Sequence, residues 1–321
     1  MSLHPWLIPV INPLSVALQM NRLHHAVLLQ GQAGMGKAEL TTVMANGLVC
    51  DQTADLTSCG QCKSCLLFKV GNHPDSLFVK PQGASIGVDD IRKASGFVQQ
   101  KAQISTRRVL ILNNAELLTE SAANALLKTL EEPNRQAYLL LTSDDPTRLL
   151  ATIRSRCFKV TVTAPDKAGV YYWLQQQFAS LDQSSFEWLF TLASQAPLKV
   201  AQWLSEDKLP EIELAKVDFQ QWFSGALGSA QYQQKVLQSD LVLLVFHHLL
   251  VEQLRLQLTE QRGLLSLAQT QQIFEHLAQF SRDAMVVSGQ NKALALLNLL
   301  NQIKTQLAKP DKLPKPHGKH Q

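Results

Sequence analysis

The stretch "HAVLLQGQAGMGKAEL", residues 25–40, decides the fold. An unbroken apolar run gives way to a glycine-rich turn, and the turn opens a helical pattern. Such a run marks a strand buried on both faces of a parallel sheet. Gly31, Gly34, Gly36 and Lys37 fit the phosphate-loop pattern G-x-x-x-x-G-K-[ST] in the strand-to-helix setting that it requires. Glycines permit the tight turn and let backbone N–H groups approach a phosphate, and Lys37 would reach its oxygens. The last letter fails. Ala38 stands where a hydroxyl would hold Mg²⁺.

Working outward, "RVLILN" (108–113) and "AYLLLT" (137–142) repeat the buried-strand signature, and "FKVTVTAP" (158–165) ends the β pattern. Helical spacing lies between them. Val88, Ile91, Ala94 and Val98 share one face, as do Ala122, Leu126 and Leu130 before Pro133. The first half is therefore α/β, a parallel sheet with helices on both faces. Beyond Asp166 only helical patterns remain. Three short pieces reach Pro210, and longer helices follow at 239–258 and 291–307. Leu296, Leu300, Ile303 and Leu307 form one stripe there, with Asn291 as the expected N-cap. The stripe suits either the chain's own core or packing against another chain. The expected division is 1–165, 166–208 and 209–308, with a Lys- and Pro-rich disordered tail at 309–321.

ATP hydrolysis also needs carboxylates at the end of a second buried strand to hold Mg²⁺ and orient water. The strand "VLILNNAELL" offers Asn113 and Asn114 instead, and a neutral amide is no base and a poor Mg²⁺ ligand. Glu116, in the following turn, is expected to face solvent or cap. With Ala38, three positions of the apparatus are altered together, and a catalytically silent loop is expected. An active ATPase drawing on Glu116 or Asp144 is the competing reading.

Cys50, Cys59, Cys62 and Cys65 form C-x₈-C-x₂-C-x₂-C. Four cysteines in a short loop give the tetrahedral set of a closed structural Zn²⁺ site. The ferredoxin spacing would need a fourth cysteine where Lys69 stands. A zinc-dependent DNA-binding module is the other rival. The net charge of +4 argues against it, because Lys309, Lys312, Lys315 and Lys319 against Asp311 place +3 in the tail. The N-terminus lacks a signal-peptide pattern and no apolar run is long enough to span a bilayer, so no membrane role and a cytoplasmic location are expected.

Two further motifs follow in order: "NALLKTLEEP" at 124–133 and Ser155-Arg156-Cys157. Adjacent Glu131 and Glu132 diverge on a helix and make no catalytic pair. Together with the loop and the cysteines, these motifs resemble the AAA+ clamp-loader family of bacterial DNA polymerase III over residues 1–308. The resemblance implies an AAA+ α/β domain with a zinc module at 50–65, a small helical lid and an all-α collar. Ala38 and Asn113–Asn114 depart from the motor subunits and match the family's ATPase-defective type. The resemblance further implies that Arg156, carried by Ser155 and Cys157, is a trans-acting finger for a neighbour's ATP. It places Leu198, or the adjacent Lys199, where another phosphate contact would stand. Implied partners are the gamma/tau motor subunits, the delta subunit, the sliding clamp and primer–template DNA, within the polymerase holoenzyme. Structural Zn²⁺ is the implied cofactor, with ATP binding in doubt.

Overall fold

The computed structural model describes residues 3–308 apart from 54, 82, 135, 260–264 and 285–289, with the side chains of 257–259, 281–284, 290 and 291 also left out. The 309–321 tail and the Asn291 side chain, with the cap expected of it, lie outside the described residues. The chain divides into two compact units, Met1–Gln202 and Trp203–Gln321, and the boundary falls within one helix.

The first unit begins with helix α1 (Ile8–Gln19) and strand β1 (Ala26–Gln30), followed by α2 (Lys37–Val49) and α3 (Lys63–Lys69). Next come β2 (Ser76–Val79), α4 (Val88–Gln99), β3 (Arg108–Leu112), α5 (Glu120–Glu131) and β4 (Ala137–Ser143). Helix α6 (Ala151–Arg156), β5 (Phe158–Thr161), α7 (Lys167–Gln175) and α8 (Gln183–Leu192) complete it, and α9 (Pro197–Ser205) is the helix that holds the boundary. The five strands form one parallel sheet in the order β2-β3-β4-β1-β5.

Strand alternation sorts the core. Ala26, Leu28, Leu110, Leu112, Leu139 and Leu141 meet Ile91, Ala94 and Val98 of α4 and Ala122, Leu126 and Leu130 of α5. The intervening Val27, Leu29, Val109, Ile111 and Leu140 are equally buried and point to the other face, where α2 packs on β1, β3 and β4. Strands covered on both faces are apolar throughout, so β1, β3 and β4 are legible in sequence. Strand β2 lies at one edge with three of its four residues only half buried, and its pattern is correspondingly weak.

The second unit holds α10 (Leu209–Ser224), α11 (Ser229–Val236), α12 (Asp240–Thr259), α13 (Leu267–Ala284) and α14 (Gln290–Leu307). Pro210 sits in the first turn of α10, where the missing N–H costs nothing. Trp222, Tyr232, Phe219 and Phe246 form its aromatic core, with Trp222 and Tyr232 stacked at 5.1 Å. Leu296, Leu300 and Ile303 are fully buried within the chain, and α14 packs on α11 and α13. The stripe therefore serves the unit's own core. Packing is the reason: a short helical bundle needs an apolar stripe from every helix.

Candidate functional site

The loop at 31–36 joins the end of β1 to the start of α2. Gly31 has φ +148, and a Cβ there would meet the Val162 carbonyl oxygen at 2.4 Å, so only glycine fits. Trp6 closes the outer corner, its Nε1 donating to the Met35 carbonyl at 3.0 Å. Leu198 donates its backbone N–H to the Gly34 carbonyl at 3.1 Å, and Lys199 packs beside Gly34 with its pKa lowered by burial.

Lys37 is 4% exposed, and its ammonium meets three oxygens: the Gly31 and Gln32 carbonyls at 2.6 Å each and Asp144 Oδ1 at 2.6 Å. Asp144, just past β4, is itself held. Asn114 Nδ2 donates to its Oδ2 at 3.1 Å, and its backbone N–H donates to Glu116 Oε1 at 3.2 Å. Of the two expectations for Glu116, facing solvent or capping, the structure departs from the first: the residue turns inward and accepts a backbone N–H at the end of β4, because the turn after β3 brings it there. Asn113 Oδ1 accepts from Thr41 and Thr142 hydroxyls at 3.3 and 3.4 Å. Both asparagines are spent on internal bonds.

The four cysteine sulfurs lie within 4.8 Å of one another, with Cys50–Cys62 and Cys59–Cys65 at 3.9 Å. Tetrahedral Zn–S bonds of about 2.3 Å place sulfurs about 3.8 Å apart, near the two 3.9 Å pairs and somewhat inside the 4.8 Å spread of the whole set. Backbone N–H groups of Cys59, Cys62 and Cys65 point at the sulfurs of Cys50, Cys59 and Cys62 at 3.4–3.5 Å. Burial opposes ionisation of Cys50, but the Cys59 N–H, the Thr53 hydroxyl and the Gln52 N–H outweigh it and hold the thiol at about 6. Burial and neighbouring thiols push Cys65 up to about 12. Crowded thiolates need a cation, and the cluster could bind a metal.

Arg156 ends α6. Its Nη2 pairs with Glu131 Oε1 at 2.5 Å and its Nη1 donates to the Thr152 carbonyl at 3.0 Å, with about a third of the side chain exposed. Ser155 Oγ also donates to the Thr152 carbonyl, at 3.0 Å. Cys157 is buried in the sheet core, where burial raises its thiol to about 11. Register separates this arginine from the loop. Phe158 pairs with Val27 and Thr161 with Gln30, so Arg156 sits beside the start of β1 while the loop leaves its end. At about 3.3 Å per residue the two are at least about 10 Å apart along the sheet. His25, bonded to the Leu130 carbonyl at 2.9 Å, places the end of α5 at the same end of the strands as Arg156. Glu131 was visible in sequence only as half of a divergent pair, and its partner is decided by topology.

Comparison with known proteins adds what geometry leaves open. A sequence profile described as DNA polymerase III, delta subunit, matches residues 8–166. DNA polymerase III subunit delta' of Pseudomonas aeruginosa is 35% identical over 273 residues, covering 83% of each chain. Subunit delta' of Escherichia coli K12 is 30% identical over 331 residues, covering 98% of this chain and 99% of that one. Subunit tau/gamma of Haemophilus influenzae is 35% identical over 161 residues, half of this chain and 23% of its own. No helix among the described residues is long and apolar enough to cross a membrane. A likeness that runs at this identity from end to end settles the family: the chain belongs to the delta' subunits of DNA polymerase III, in the AAA+ clamp-loader family.

Proposed function

We propose that this chain is the ATPase-silent member of a clamp-loader ring, and that it lends Arg156 to the ATP site of a neighbouring motor subunit. The observation that carries the reading is the separation of Arg156 from the chain's own phosphate loop. The arginine lies at the opposite end of the parallel strands, which favours a phosphate held by another chain. The silent loop supports the same conclusion, since Ala38, Asn113 and Asn114 leave Mg²⁺ and water without holders.

On this reading the partners are the gamma/tau motor subunits and the delta subunit, and the assembly places the sliding clamp on primer–template DNA. Residues 1–165 form the AAA+ α/β domain, 166–208 the lid and 209–308 the collar. Cys50, Cys59, Cys62 and Cys65 would hold a structural Zn²⁺, whose charge would stabilise the four thiolates and cross-link the loop to α3.

The test is a reconstituted loader carrying Arg156→Ala. Removing a trans-acting arginine costs on the order of 10³–10⁵ at the site it serves. One site of several loses its finger, so whole-assembly ATP turnover should fall a few-fold. Arg156→Lys should rescue poorly, because an ammonium cannot reproduce the planar fork. Arg154→Ala, nearby and equally charged, should be milder. Normal turnover and clamp loading by the Arg156→Ala assembly would return this arginine to a surface role.

A further inference from the structure

We infer that Asp144 is a built-in occupant of the phosphate loop: it takes, on Lys37, the place of a nucleotide phosphate, and holds the site shut against nucleotide. The inference rests on the reading of the loop as silent and goes further, because silence toward hydrolysis leaves binding open.

The count of donors carries it. An ammonium has three N–H bonds. All three are directed at oxygens 2.6 Å away, two of them carbonyls of the loop itself and the third Asp144 Oδ1. The side chain is 4% exposed, so no fourth direction opens to an incoming ligand. A phosphate oxygen would have to displace one of these three, and the carboxylate is the only one that carries charge.

Asn114 makes this arrangement stable. A carboxylate at that position would repel Asp144 and compete for Lys37. The amide instead donates to Asp144 Oδ2 at 3.1 Å, fixing the far oxygen while the near one faces the lysine. Glu116 anchors the Asp144 backbone from below. The substitution that removes a Mg²⁺ ligand therefore also supplies the donor that aims the plug. Displacing Asp144 would leave a partly buried carboxylate beside Glu116 without its cation, and would set it against a polyanion.

Isothermal titration of the full chain with ATP, with and without Mg²⁺, tests this. The unmodified protein should bind weakly or not at all. Asp144→Asn keeps the shape and removes the charge, and should bind ATP roughly tenfold tighter or more, the factor by which a mostly closed site lowers apparent affinity. The gain should vanish when Lys37→Ala is added. Equal affinity of unmodified protein and Asp144→Asn, or a gain that survives Lys37→Ala, overturns the proposal. Hydrolysis by Asp144→Asn is assayed in parallel. Tighter binding with turnover upholds the plug and sinks the silent-loop reading, whereas unchanged binding without turnover does the reverse. A second measurement needs no variant: acylation of the unmodified protein should label Lys37 far more slowly than exposed Lys93 and Lys101, and equal labelling overturns the closure.

Discussion

Asp75 shows how much one buried residue can hold. It is fully buried and accepts backbone N–H bonds from Gln103, Ile104 and Ser105 at 2.7, 2.8 and 2.9 Å, with the Arg108 guanidinium 3.5 Å away. Arg108 in turn donates to the Lys101 and Phe97 carbonyls at 2.9 Å. Asp75→Ala orphans three amides and leaves the buried arginine without its anion, so it should cost about 3–5 kcal/mol in a denaturant melt. Burial alone would raise the Asp75 pKa, but the amide bonds outweigh it and the net shift is downward. A depressed carboxylate contributes stability that is fully present above the ordinary value of about 4 and is lost as pH falls through the folded value. Stability should therefore drop below about pH 4, and an Asp75→Asn protein should show a shallower acid limb. Arg156 is the contrasting case. Its pair with Glu131 is partly exposed on both sides, and exposed pairs of this kind contribute about 0–1 kcal/mol. Arg156→Ala should shift the melt by no more than that, which keeps the loader assay free of folding artefacts.

At the scale of elements, α2 and the cysteine loop are fitted to each other at Gly47. A Cβ there would meet the Leu56 backbone at 2.3 Å. In an exposed helix interior, glycine to alanine gains about 1 kcal/mol of helix propensity. Backbone cannot retreat as a side-chain tip can, so the clash should win here. Gly47→Ala is expected to lower stability by about 1–3 kcal/mol, the usual cost of overpacking, and to weaken metal retention by the four cysteines. A gain in melting temperature would show that the loop yields. The cysteine loop itself should carry one Zn²⁺ per chain, read by elemental analysis after purification without chelator. Recovery of iron, or of no metal, would count against a structural zinc.

For the whole molecule, two units with separate cores imply that unfolding is not a single step. Calorimetry should resolve two transitions, or a calorimetric enthalpy above the van 't Hoff value. Strong chelation, or Cys59→Ser, should lower only the transition of the unit that contains residues 50–65. Coincident loss of both would mean that the units unfold as one.

What the sequence determined by itself was whatever depends on local period and spacing. Strands β1, β3 and β4 are continuous apolar runs because both faces are covered, and the glycine loop after β1 needs its letters for backbone reasons alone. The cysteine spacing marks the metal-competent cluster, since short loops leave few alternatives for four thiols. Tertiary structure decided the pairings. Strand β2 has three half-buried residues among its four, and its edge position follows from the order of the sheet. Glu131 and Arg156 are 25 positions apart and meet through the packing of α5 on α6, while Lys37 and Asp144 are 107 apart and meet through the parallel register of β1 and β4. The Leu stripe of α14 reads the same for a core as for an interface, and packing on α11 and α13 places it in the core. Charge and burial act through space, so a letter's role is set by its neighbours in the fold rather than by its neighbours in the chain.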